Sequence, residues 1–166
     1  VYKKNNPKKV LDNQQFFTVG EVYGYGISQK QNYDFRDKKV NYYENGFQSL
    51  INFDFKGDAN KSYEEVFSNY SQLLNSDLKG KTVMNYLTSH DDGSPFDKDR
   101  KKTYESATKL LLTPGISQIY YGDESARDLT IEGTEGDATL RSNMNWNDIS
   151  SNPETKKLLE HYQKLG

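Results

Sequence analysis

Four short apolar segments recur along this chain at nearly equal intervals, and that spacing limits the fold more than any other feature. "FFTVG" begins at Phe16, "FQSLINF" at Phe47, "TVMNYLT" at Thr82 and "ISQIYYG" at Ile116. Each reads as a strand that stops at a polar or turn signal. The intervals leave room for one strand, one returning helix and two loops, the length of a βαβ unit. A period of this size marks a repeated supersecondary unit.

The intervening sequence fits helices. From Ser62 to Leu74 the apolar residues Tyr63, Val66, Phe67, Tyr70, Leu73 and Leu74 fall on one helical face. Ser62 is the expected N-cap, with Glu64 and Glu65 in the first turn. Arg100 to Leu112 predicts a second helix, closed by Thr113, Pro114 and Gly115. Pro153 to Leu165 predicts a closing helix, and the residues before Leu11 the end of an earlier one. Tyr23 to Asn45 reads as loop with a short helix at most. Gly122 to Asn152, with the only tryptophan, Trp146, reads as a long loop, a feature often tied to function.

Alternating strands and helices specify an α/β chain with a parallel sheet. Two architectures compete: a small doubly wound sheet, or part of a (β/α)8 barrel. A whole barrel takes about 250 residues, so these 166 suffice for about half of one. One core and one domain, residues 1–166, are expected.

Both architectures gather chemistry at the C-terminal ends of the strands. There the sequence places Glu21, then Asp54, then His90 and Asp91, then Asp123 and Glu124. A rim of carboxylates among aromatic residues suits acid–base work on a polar, uncharged substrate such as a sugar. Thirteen tyrosines supply rings that stack on sugars while keeping a hydroxyl, although most such residues cover core edges.

Other chemistries find little support. The net charge is −2 with no basic stripe, which argues against nucleic acid. No apolar run is long enough to span a membrane. Without cysteine, disulfides and thiolate zinc sites are excluded. The two histidines, His90 and His161, are too far apart in sequence for a convincing metal site, and His161 reads as structural. "GYG" at Gly24 to Gly26 lacks the third glycine of a dinucleotide loop. Asp54, Asp58, Asn60 and Glu65 echo a calcium loop without its central glycine. Ser89, His90 and Asp91 are contiguous and cannot form a triad with one another. Asn60-Lys61-Ser62 and Asn69-Tyr70-Ser71 match the glycosylation sequon, a weak signal.

The residues themselves resemble the α-amylase family of retaining glycoside hydrolases. "FFTVGEVYGYG" resembles its strand-five motif. "VMNYLTSHDD" resembles its strand-seven motif, with Ser89 where Asn is common. "LLTPGISQIYYGDE" resembles the passage into strand eight, and "SARD...GDATLRSNMNW" is similar to bacterial secreted or periplasmic members. The resemblance implies a partial TIM barrel, strands five to eight with their helices, cleaving α-1,4-glucosidic bonds in starch or maltooligosaccharides outside the cytoplasm. It implies Glu21 as general acid/base, Asp91 as transition-state stabiliser and His90 as a sugar ligand. Asp137 and Arg141, in the long loop, match more loosely a pair that binds sugar on the glycone side.

The strand-four motif, which carries the nucleophilic Asp and a neighbouring Arg in this family, does not occur in these residues. Asp12 precedes the first strand and so lies at its wrong end, and Asp54 does not match the motif. The chain is therefore expected to work with a first barrel half as partner and to be inactive alone. No cofactor is expected in these residues; the resemblance puts calcium in the other half. Two alternatives stay open: a non-catalytic glucan-binding or assembly module, and an α-glucosidase or transglycosylase of the same family.

Overall fold

The computed structural model describes residues 2–10 and 16–166; Asp12 lies outside them. The chain opens with α1 (Tyr2–Asn5), β1 (Val19–Gly20), a hairpin of β2 (Tyr33–Phe35) and β3 (Lys38–Val40), and β4 (Ser49–Asn52). The helices α2 (Phe55–Asp58) and α3 (Tyr63–Asn75) lead to β5 (Thr82–Tyr86), and α4 (Thr103–Leu112) leads to β6 (Ile116–Gln118). The long final loop carries two 3-10 turns and α5 (Trp146–Ser151) before α6 (Pro153–Leu165).

The four periodic segments form one parallel sheet in the order β1-β4-β5-β6. That order follows the sequence without a reversal. A doubly wound sheet turns back at a switch point, so the topology is that of a partial barrel. The strands are shorter than the apolar runs that announce them. Of the five residues from Phe16 only the last two are strand, and Phe16 and Phe17 are exposed.

Alternation along each strand separates two faces. Leu50, Asn52, Val83 and Asn85 are buried beneath the helices, whereas Ile51 and Met84 on the opposite face are only half-buried. The main core fills the space between the sheet, the loop carrying Tyr25 and Ile27, and α3, around Leu50, Phe55, Val66, Tyr70 and Val83. A second cluster of Ala107, Leu158 and Tyr162 joins α4 to α6.

Two asparagines bind this layer together. Asn52 and Asn85 are register partners on β4 and β5 and are wholly buried. Asn52 Nδ2 donates to Asn85 Oδ1 and to the Tyr70 hydroxyl of α3, both at 2.9 Å. Asn52 Oδ1 accepts the Ile27 N–H at 2.9 Å, and Asn85 Nδ2 donates to the Pro114 carbonyl at 3.3 Å. The pair thus links the loop after β1, both central strands, the entry to β6 and a helix. Gly115, at φ +128°, permits it: a Cβ there would meet Asn85 Nδ2 at 2.9 Å.

The helices follow their sequence signals closely. Ser62 and Glu65 form a complete capping box on α3, and Asn152 caps α6 through the N–H groups of Glu154 and Thr155. α4 begins at Thr103 rather than Arg100, because the Asp97 carboxylate takes the N–H groups of Lys101 and Lys102 in a preceding turn. The stretch from Tyr23 to Asn45 holds the expected loop and short helix, a 3-10 turn at Ile27–Gln29, but also the β2–β3 hairpin, which was not expected. Its turn passes through Arg36 at φ +58° with no glycine to announce it.

Two outcomes test this architecture. Asn52→Ala strands the buried Ile27 N–H and the Asn85 carbonyl oxygen, and should cost about 2–6 kcal/mol at about 1–3 per orphaned group, read from urea unfolding. Among the described residues β1 and β6 each pair on one side only, and Val19, Ile119 and Tyr121 are 37–44% exposed. The isolated 166-residue chain should therefore self-associate or bind an apolar reporter dye. A monodisperse monomer in sedimentation, without dye binding, would contradict the half-barrel.

Candidate active site

Glu21 follows β1 directly and His90 and Asp91 follow β5 after a short extension, so two parallel strands of one sheet, with β4 between them, deliver them to one rim. The three line a single pocket with Ile51, Phe53, Tyr86, Ser89 and Gln118. Its enclosed volume is about 50 Å³, well below the roughly 300–1,000 Å³ of a small-molecule site. A second pocket, about 310 Å³, adjoins it and shares Glu21, Phe53, Tyr86 and Asp91, adding Tyr23, Lys56, Asp92 and Gly93. Glu21, His90 and Asp91 are all exposed. Together these features give an acidic floor with aromatic sides, open toward the half-buried face of the sheet.

Asp91 is held locally. The Ser89 hydroxyl donates to its Oδ1 at 2.9 Å, and His90 Nε2 stands 3.7 Å from its Oδ2. The His90 carbonyl accepts from Arg141 Nε at 2.9 Å. The long loop therefore does reach the strand-end histidine. Asp137, four residues before Arg141, is exposed, and its side chain makes no hydrogen bond or ion pair with the described residues.

Arg127 sets the course of that loop. It is wholly buried. Its guanidinium donates to the carbonyls of Tyr121, Leu140 and Ser142 and to the Ser142 hydroxyl, and lies 3.8 Å from the centre of the Tyr121 ring. Leu140 and Ser142 flank Arg141, so a buried cation fixes the backbone from which Arg141 projects.

Two of the other strand-end acids, Asp54 and Asp123, have structural partners, whereas Glu124 Oε2 is buried without one among the described residues. Asp54 accepts from the Ser28 N–H at 3.2 Å and hydroxyl at 2.6 Å, packed where only Gly26 leaves room. Asp123 is buried against Arg100, Nη1 to Oδ1 2.9 Å. Burial pushes the Asp123 carboxyl up, and the pull of Arg100 does not offset it. His161 bonds Thr108 across the α4–α6 contact and packs on Tyr104, a structural place. Among the described residues no three His, Asp or Glu side chains gather as a metal site would require.

The sequence reading missed Asp92 and Lys56. They form an ion pair between the loop after β5 and α2, with Lys56 also donating to the Ser94 carbonyl at 3.2 Å. Tyr86 adds a long hydrogen bond to Asp92, 3.4 Å. The doubled Asp at 91–92 is the one signal that marked this pair.

Burial alone would raise the Asp92 pKa, but the Lys56 hydrogen bond and the Ser94 N–H outweigh it and hold the group below its ordinary value. A carboxyl lowered by folding adds stability that is full above its unfolded pKa and is lost as pH falls through the folded value. Melting temperature should thus fall with acidification below the ordinary carboxylate range. Asp92→Asn should flatten that dependence; an unchanged pH profile in the variant would contradict the assignment.

No family model matches the chain. The periplasmic alpha-amylase of Escherichia coli K12 is 35% identical to it over 167 aligned positions, which cover 99% of this chain and 22% of that protein. The chain thus spans about a fifth of the length of the curated relative it matches. A debranching enzyme from Nostoc punctiforme, known as a crystal structure, aligns with 98% of this chain and 33% of its own, at 19% identity and a TM-score of 0.46. No helix among the described residues is long and apolar enough to cross a membrane.

Proposed function

From its kinship with the α-amylase family, which runs the length of the chain, we propose that these residues are the C-terminal half of the catalytic barrel of a retaining α-glucan hydrolase. The supporting observation is the convergence of Glu21, His90 and Asp91 on one pocket at the strand ends. Glu21 is the general acid that protonates the leaving glycosidic oxygen and then the base that activates water. Asp91 grips sugar hydroxyls and stabilises the positive charge that develops on the ring, and His90 donates to the same sugar. Arg141, anchored on the His90 carbonyl, contacts the next glucosyl unit on the glycone side, with Asp137 turning toward it when substrate binds.

Retention requires a carboxylate nucleophile about 5 Å from the acid. Asp54 is committed to Ser28, so the nucleophile comes from the first half of the barrel, which also closes the open side of the pocket. That half is the chain's partner, and an α-1,4-glucan is its substrate. We assign no cofactor to these residues; calcium, where the resemblance implies it, belongs to the other half. That the E. coli relative is a periplasmic alpha-amylase favours a place outside the cytoplasm.

The purified 166-residue chain should not turn over maltooligosaccharides, because residues that act as one unit fail together. Joined to the upstream half, in cis or as a complementing fragment, it should cleave them with retention at the anomeric carbon. Glu21→Gln in that assembly should slow cleavage by at least about a hundredfold, the lower end of what general acid–base catalysis supplies. Glucan binding without cleavage by the joined protein would favour a binding module. Glycosyl transfer exceeding hydrolysis would favour a transglycosylase.

A further inference from the structure

We propose that Ser89 is the positioning residue for Asp91. The inference rests on the functional reading above, since it concerns how one group of that site is aimed. An aspartate that grips two hydroxyls of one sugar ring must present its carboxylate in a fixed plane, and a small misplacement is costly. Asp91 sits on a loop with its side chain 46% exposed, so packing does not fix that plane.

Its polar neighbours are few. The Ser89 hydroxyl donates to Oδ1 at 2.9 Å. His90 Nε2, at 3.7 Å from Oδ2, is beyond hydrogen-bond range. The Ser89 hydroxyl makes no other hydrogen bond among the described residues, and the residue is 8% exposed. A donor so placed competes little with water and holds Oδ1, leaving Oδ2 for substrate. The backbone between the two residues is pinned as well, through Arg141 Nε on the His90 carbonyl. Ser89 therefore fixes the side chain, and Arg141 fixes the peptide that carries it.

The test uses the joined, active protein with Ser89→Ala and Ser89→Thr. Losing a hydrogen bond to a charged group should lower kcat roughly ten- to hundredfold in the Ala variant. KM should stay within about threefold, because the grip tightens most in the transition state. The Thr variant, which keeps the hydroxyl, should recover most of kcat, and thermal stability should match in all three. A kcat within twofold of wild type in the Ala variant would overturn the proposal. So would parallel losses of kcat and melting temperature in both variants, the mark of a structural role. Independently of turnover, a crystal structure of Ser89→Ala should show the Asp91 carboxylate rotated from its place; an unmoved carboxylate would overturn it. Failure of the wild-type assembly to cleave any α-glucan would instead contradict the functional reading, and the crystallographic comparison would still decide the Ser89 assignment.

Discussion

The hydrogen-bonded pair Asn52–Asn85 is the constraint on which the rest of the structure depends. Two amides in the middle of adjacent strands are costly to bury unless every group finds a partner. Here the partners are an N–H after β1, a tyrosine of α3, the other amide and a carbonyl before β6. Meeting that demand leaves one strand register and one path for the loop after β1. It brings the ends of β1 and β5 level, and so brings Glu21 and Asp91 to the same rim. The catalytic reading is a consequence of a satisfied polar network on the opposite, helix-facing side of the sheet.

The site is built outward from that rim in two layers of different character. The strands set where the carboxylates emerge. The loops set how they point, through Ser89 on Asp91, Lys56 on Asp92 and the Arg127-braced segment that carries Arg141 to His90. Arg127 is notable for its partners: a buried guanidinium solvated by carbonyls and aromatic faces orders a loop without spending a carboxylate the rim could use. On the proposed function, the first half of the barrel would cover the half-buried face and close the open side of the pocket together.

The strand period, the α3 capping box and the α6 start could be read in the sequence because each is a local signal. So could the rim positions of Glu21, His90 and Asp91, which follow from strand ends alone. What escaped was set by contacts distant in sequence. Asparagine disfavours strands, so nothing local marked Asn52 and Asn85 as the centre of the sheet. The Arg36 turn carries a positive φ without glycine, and the hairpin it closes was hidden as loop. Asp54 and Asp123 looked equivalent to Glu21 by position. Their partners, Ser28 and Arg100, lie 26 and 23 residues away and withdraw them from the rim. The roles of Glu21, His90, Asp91, Asp137 and Arg141 came from resemblance, since spacing marks where an acid sits and not what it does.

The central claim is that this chain supplies the acid and the stabiliser while the nucleophile lies elsewhere in the barrel. Trapping the glycosyl-enzyme intermediate tests it directly. The joined protein would be treated with a fluorinated maltosyl fluoride that forms the covalent intermediate faster than water removes it, then digested and analysed by mass spectrometry. The account predicts a glycosylated carboxylate on a peptide outside these 166 residues, with every peptide from this chain unmodified. An adduct on Asp54 or Asp91 would contradict it.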